Sequence, residues 1–331
     1  MKVYVRAPYK KECLDELGRL FDEVVYEPWT ETGERYYEDE LLEHLLAEKP
    51  DVLITELDRV TEKVLNGYRG LKAIGDCRGN PANIDVEACT RHKVPVICTP
   101  ARNRQAVAEM VVGMILAFER NLVQSVEWVK DRKWVEGTTP YYLWMGHELQ
   151  GKEVGIIGFG GIGRIVAKIL EAFDCNISFC DPFVYGNQGD HGQFRKKTIE
   201  EIFQDSDIIT IHLNVTEETR GMITKELLCS MKKDAVFVNA ARSALVDYDA
   251  LLTLLKEKRI GGAIIDVLDN EPPTESDMAF ADLPNVLLTP HTCGATYEVT
   301  DHQSEILNEG LKVWLSGKDI EKVIFNKELC K

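Results

Sequence analysis

The run Val154-Gly155-Ile156-Ile157-Gly158-Phe159-Gly160-Gly161-Ile162-Gly163 constrains this chain more than any other stretch. An apolar, strand-like segment breaks there into glycines spaced G-x-G-x-x-G, and a helical pattern follows from Ile162 to about Phe173. Gly158 permits a tight turn out of a buried strand, and Gly160 removes a side chain where a pyrophosphate must approach the backbone. Gly163 lets the following helix pack close to the strand. The free N–H groups at the start of that helix carry the partial positive charge that suits a phosphate. The next strand-like run, Asn176-Ile177-Ser178-Phe179-Cys180, ends in Asp181, 23 residues after Gly158. A carboxylate there accepts both ribose hydroxyls of NAD and repels the 2′-phosphate of NADP, so NAD is the expected dinucleotide.

At 331 residues the chain has room for two domains of ordinary size, each with its own core. Its formal net charge of -16 argues against a nucleic-acid or anionic-membrane partner, and any anion pocket must supply its own arginines. Nine cysteines, an odd count without regular spacing, fit a reducing cytoplasmic setting and show no metal-ligand pattern. Met1-Lys2-Val3-Tyr4-Val5 enters a strand directly rather than a signal core, and no apolar run approaches the roughly 20 residues of a membrane helix.

Strand-like runs at Val3–Val5, Glu23–Tyr26, Asp51–Ile54, Ala73–Ile74 and Val94–Ile97 alternate with helical patterns, which predicts a doubly wound parallel sheet. Ligands of such folds sit beyond the carboxyl ends of the strands. The loop Gly75-Asp76-Cys77-Arg78-Gly79-Asn80-Pro81-Ala82-Asn83 lies at such an end. Amides around Arg78 and Gly79 can cradle a carboxylate, with Arg78 adding a bidentate contact; a solvated surface turn is an equally weighted reading. The loop Pro100-Ala101-Arg102-Asn103-Arg104 opens at the same edge, its two arginines more ordinarily solvated than ligand-bound. From Gln105 to Phe118 the pattern is helical and apolar nearly all round, which predicts burial between domains or subunits. Trp128, Trp134, Tyr141, Tyr142, Trp144 and Met145 then fall in a loop-like stretch, read as a cleft cap or, in preference, a subunit contact.

After the fingerprint, strands at 207–213, 235–239, 263–267 and 286–289 alternate with helices and complete a dinucleotide fold. Polar residues gather after three of them: Arg242, then Asp266 and Glu271, then His291. Hydride transfer to a carbonyl needs a proton donor and a cation that aligns a carboxylate. His291 is the expected donor, with Glu271 favouring its charged form and fixing which ring nitrogen faces the substrate. Arg242 can fork onto the substrate carboxylate and carbonyl, and Asp266 onto the nicotinamide carboxamide. Each alone has an ordinary alternative as a loop histidine, a solvated acid or a surface cation. Their place at successive strand ends is what favours chemistry.

These residues resemble the D-isomer-specific 2-hydroxyacid dehydrogenases over essentially the whole chain. The resemblance rests on Glu148-Leu149-Gln150-Gly151-Lys152 leading into the glycine run, Asn239-Ala240-Ala241-Arg242 with Asp247, Asp266-Val267 to Glu271-Pro272, and Thr289-Pro290-His291 with Gly294-Ala295-Thr296. It implies an NAD-dependent oxidoreductase with a catalytic set of Arg242, Glu271 and His291. It also implies a flavodoxin-like substrate domain from residues 1–103 and 296–331, a Rossmann NAD domain over residues 104–295, a cleft between them, and a homodimer joined through the latter. The expected cofactor contacts are Gly158, Gly160, Gly161, Ile162, Gly163, Asp181, His212, Ala240, Asp266 and His291. The expected substrate contacts are Arg78, Gly79, Asn103, Arg242 and His291, with no metal. Arg78-Gly79-Asn80 departs from the family's glycine pair, Ser243 replaces the glycine that usually follows the arginine, and Cys293 lies two residues past His291. The expected substrate is therefore a 2-oxo or D-2-hydroxy acid bearing a further polar or anionic group. An appended regulatory domain is not expected after Cys330. NAD-sensing corepressors resembling this family keep the same catalytic set, so a binding protein without turnover is the alternative.

Overall fold

The computed structural model describes residues 1–330. Backbone proximity divides the chain into two units, Met1–Asn103 with the stretch from Thr296 onward, and Arg104–Ala295. Each is an α/β unit built on a wholly parallel sheet.

In the first unit the strands are β1 (Lys2–Val5), β2 (Glu23–Tyr26), β3 (Val52–Thr55), β4 (Ala73–Asp76) and β5 (Val96–Cys98), in the order β2-β1-β3-β4-β5. This is the flavodoxin-like order, whose direction of winding reverses between β1 and β3. Alternating side chains feed two cores, as a strand period of two requires. Tyr4, Leu53, Ile74 and Val96 enter one. Val3, Val52, Ile54 and Ile97 enter the other, where Leu307 and Leu311 of the helix Glu298–Ser316 cover the sheet.

The second unit contains β6 (Glu153–Ile157), β7 (Asn176–Cys180), β8 (Arg195–Lys196), β9 (Ile208–Ile211), β10 (Val236–Asn239), β11 (Gly262–Ile265) and β12 (Val286–Leu288). The order β12-β11-β10-β9-β6-β7-β8 is the Rossmann arrangement with one added strand, and its switch point lies between β6 and β9. The apolar helix Arg104–Glu119 is buried by its own unit, where Val107, Val111 and Ile115 join the core beside Val166 and Leu170 of the helix Gly161–Glu171. Burial between domains or subunits is thus not needed to explain its composition. The aromatic stretch is more ordered than its loop-like reading: Trp128 lies in the helix Leu122–Lys130, and Tyr141 and Tyr142 in the short helix Pro140–Leu143. The helix Ile199–Asp205 was not anticipated either, although Thr198 and Glu201 form a reciprocal capping box that marks its start. Among the described residues no helix is long and apolar enough to cross a membrane.

One side chain at the end of β4 stands out electrostatically. Asp76 is fully buried, and among the described residues its carboxyl oxygens make no hydrogen bond of normal geometry. Burial pushes its acid up to about 8, although the charge of Arg78, the Asn83 side chain and the charge of Arg102 pull the other way. An unfolded chain ionises aspartate near pH 4, whereas the folded chain holds this proton up to about pH 8, so stability falls as pH rises between those values. Asp76→Asn removes that penalty. The melting temperature of the variant is expected to exceed that of the parent by a margin that widens from roughly pH 5 to roughly pH 8; a margin independent of pH would show that Asp76 is already ionised in the folded protein.

Candidate active site

The glycine turn follows β6 at the switch point, and each expected glycine has a distinct physical requirement. Gly158 has φ 90°, and a Cβ there would lie 2.5 Å from the His212 carbonyl oxygen. A Cβ on Gly163 would collide with the carbonyl oxygen of Gly158. Gly160 differs, because nothing lies within 4 Å of the position a Cβ would take. The open space is on the backbone that a pyrophosphate would approach. The helix Gly161–Glu171 starts without a side-chain cap, which leaves the first amides, those of Gly161, Ile162 and Gly163, for an anion. Beneath the turn, the rings of Phe159 and Phe179 stack with centroids 4.0 Å apart.

Asp181 sits just beyond β7 and is nearly buried. Its two oxygens accept from the Phe159 and Phe183 N–H groups, each at 2.8 Å. The carboxylate thereby ties the glycine turn to β7 and keeps further lone pairs for ribose hydroxyls. His212 follows β9, with its Nε2 3.1 Å from the Thr210 hydroxyl. Burial pushes its imidazole down to about 4, so this ring is neutral at working pH and offers shape and a hydrogen bond rather than charge. These residues fit a bound dinucleotide: an open anion cradle, a free helix end and a carboxylate at the end of the second strand.

Arg242, Glu271 and His291 leave the carboxyl ends of the neighbouring strands β10, β11 and β12. His291 Nδ1 lies 2.7 Å and 2.9 Å from the two Glu271 oxygens. Their side chains are 41% and 44% exposed, so the pair can be reached from solvent. His291 has φ 54°, a left-handed conformation that costs a non-glycine residue roughly 1 kcal/mol. The buried carboxylate of Asp266 offsets this by gathering the loop. It accepts from the Thr289 hydroxyl at 2.6 Å, the Thr292 N–H at 2.9 Å and the Cys293 N–H at 3.0 Å. Sequence reasoning named Asp266 for the cofactor and missed this second role, which no spacing rule reveals. Arg242 is exposed, and its Nη1 donates to the Ala241 carbonyl at 2.6 Å. Ala240 is half-buried on the same turn.

In the first unit, the Arg78 loop rests on the segment after β5. The Thr99 N–H donates to the Arg78 carbonyl at 2.9 Å, and a Cβ on Gly79 would meet the Pro100 Cα at 3.5 Å. Arg78 is half-buried, while Gly79 is exposed and Asn103 half-buried. Arg102 is not a solvated loop charge. Its Nη1 pairs with Glu56 at 2.7 Å and also bonds Gln303, because the helix Glu298–Ser316 brings that amide to the strand ends.

Residues 112–293 match the family model for the NAD binding domain of D-isomer specific 2-hydroxyacid dehydrogenases. The chain is 46% identical over its whole length to the Bacillus subtilis (strain 168) protein YoaD, itself provisionally assigned as a 2-hydroxyacid dehydrogenase, and covers 96% of that protein. A glyoxylate reductase of Thermofilum pendens (strain DSM 2475 / Hrk 5) is 33% identical, again over the whole of this chain and 96% of the relative. Among solved structures, the TT0316 protein from Thermus thermophilus superposes with a TM-score of 0.81 at 28% identity, covering 98% of this chain and all of that one.

The turn geometry makes Gly158 the most demanding of the cofactor-loop positions. Gly158→Ala meets both a positive φ and the His212 carbonyl, so it is expected to lower the melting temperature and weaken NADH affinity, read by fluorescence titration, at least about tenfold. Gly160→Ala, with open space around it, is expected to weaken NADH affinity while leaving the melting temperature unchanged. Equal effects of the two on melting would contradict this division.

Proposed function

The chain belongs to the D-isomer specific 2-hydroxyacid dehydrogenase family, and on that premise we propose that it interconverts a 2-oxo acid bearing a further polar or anionic group with the corresponding D-2-hydroxy acid, His291 acting as acid and base. It is an NAD-dependent oxidoreductase acting on a CH–OH group. The observation that carries the reading is the Glu271–His291 pair, held at 2.7 Å at strand ends of the unit that bears the glycine turn.

When bound, the nicotinamide supplies or accepts the hydride. The protein does the rest. Arg242 holds the substrate carboxylate and the carbonyl oxygen with two prongs of one guanidinium. Glu271 engages Nδ1 of His291, so Nε2 is the atom that faces the substrate. In reduction, Nε2 gives a proton to the carbonyl oxygen as negative charge develops there; in oxidation it takes the hydroxyl proton. Asp266 keeps this imidazole in place and has an acceptor position left for the nicotinamide carboxamide. Gly79, Asn103 and the amides of the Arg78 loop are assigned to the substrate carboxylate, and Arg78 to the further polar group.

A homodimer through the dinucleotide-binding unit completes the proposal. Trp134, Tyr141, Tyr142 and Met145 are each more than half exposed, together with Val126 and Val129 of the preceding helix. That concentration of apolar and aromatic surface suits a subunit contact. The net charge of -16 supports the absence of a nucleic-acid partner, and the nine unpaired cysteines support a cytoplasmic setting.

Steady-state assays with a panel of 2-oxo acids and both reduced coenzymes test the reaction. Turnover is expected with NADH ahead of NADPH, because Asp181 opposes a 2′-phosphate. His291→Asn is expected to lower kcat by about a hundredfold or more with unchanged NADH affinity. Tight NADH binding without turnover of any 2-oxo acid would point instead to an NAD-sensing binding protein. Arg78→Ala is expected to raise KM strongly for a sugar-acid or phosphorylated 2-oxo acid and much less for pyruvate; an unchanged KM would remove Arg78 from substrate selection.

A further inference from the structure

Arg242 and the Glu271–His291 pair stand on loops from different strands, and a buried hydroxyl joins those loops just beyond the backbone bond from the Asp266 N–H to the Asn239 carbonyl. Asn239, the fully buried last residue of β10, accepts from the Ala241 N–H at 3.0 Å. Its Nδ2 donates to the Arg242 carbonyl at 3.1 Å and to the Tyr248 hydroxyl at 2.9 Å. The Tyr248 hydroxyl donates onward to the Val267 carbonyl at 2.7 Å. Val267 lies between Asp266, which gathers the His291 loop, and Leu268, whose N–H reaches a Glu271 oxygen at 3.4 Å. The Tyr248 ring is buried edge-on against Phe280, centroids 5.2 Å apart, so the hydroxyl cannot turn to solvent.

We propose that Tyr248 is a positioning residue whose hydroxyl sets the distance and angle between the Arg242 turn and the Glu271–His291 pair. A phenol suits this place because one O–H accepts from Asn239 and donates to Val267 at once. Burial raises its pKa, so the donor persists across the working range. Phenylalanine would fill the same space yet leave a buried amide donor and a buried carbonyl without partners. Two loops that must align one substrate between them would then lose their shared reference point. Misplacement of about an ångström is enough to slow a reaction that depends on alignment. The role rests on the reaction proposed above only in so far as Arg242 and His291 carry it.

Tyr248→Phe tests the inference on the full-length enzyme with whichever 2-oxo acid the parent reduces. The expected result is a fall in kcat of between about tenfold and about a hundredfold, with NADH affinity within about twofold of the parent. Phe280→Leu is the companion variant, since it loosens the ring packing and keeps the hydroxyl. It is expected to lower the melting temperature with little change in kcat. A third readout needs no turnover: the Nδ1–H proton resonance of His291 in the coenzyme-free protein, followed by NMR, should broaden in Tyr248→Phe and stay sharp in Phe280→Leu. An unchanged kcat with a sharp resonance in Tyr248→Phe would overturn the inference, as would equal kcat losses in the two variants at equal loss of melting temperature. If the parent reduces no 2-oxo acid, the proposed reaction fails by itself, and the resonance still decides the role of Tyr248.

Discussion

The close approach of three backbone segments at the end of β6 is the constraint on which the dinucleotide-binding unit depends. Gly158 turns against the carbonyl of His212, and Gly163 packs against the carbonyl of Gly158, at distances that no side chain would allow. The turn thereby directs the helix Gly161–Glu171 so that its uncapped amides face outward at the switch point between β6 and β9. Asp181 locks the turn to β7 through two amides. From there the parallel register carries the carboxyl ends of β10, β11 and β12 to the same edge, where Arg242, Glu271 and His291 emerge.

Acidic groups do contrasting work in this chain because their surroundings differ. Asp266 is buried but receives three donors, so its carboxyl group organises the His291 loop. Asp76 is equally buried but lacks such a set of donors, so burial prevails and it keeps its proton instead. Glu271 remains open to solvent and meets only imidazole and a distant amide. Among the basic groups of the first unit, Arg102 is held by Glu56 and Gln303, which leaves Arg78 better suited to an external anion. In a protein of net charge -16, such local separation offsets the long-range repulsion that an anion would otherwise meet.

Much of the fold was legible because its signals are local and periodic. Apolar strand runs separated by helices specify a parallel sheet, and the family resemblance at the glycine run, Arg242, Glu271 and His291 pointed to the candidate residues. The helix Leu122–Lys130 was harder to read, since Leu122, Val123, Val126 and Val129 leave apolar surface exposed and blur the usual amphipathic stripe. The partner of Arg102 was illegible for another reason: Gln303 is some two hundred residues distant in the chain. No window of sequence contains both.

Glycine positions, strand runs and the identities of the ionisable groups were determined by the sequence itself, because steric permission, hydrophobic periodicity and intrinsic acidity belong to single residues and their near neighbours. Which groups are charged, paired or held in place was decided only by the tertiary structure. Burial sets the state of Asp76 and His212, and hydrogen bonds fix Asp266 against the His291 loop; both depend on atoms brought together by strand order rather than by distance along the chain.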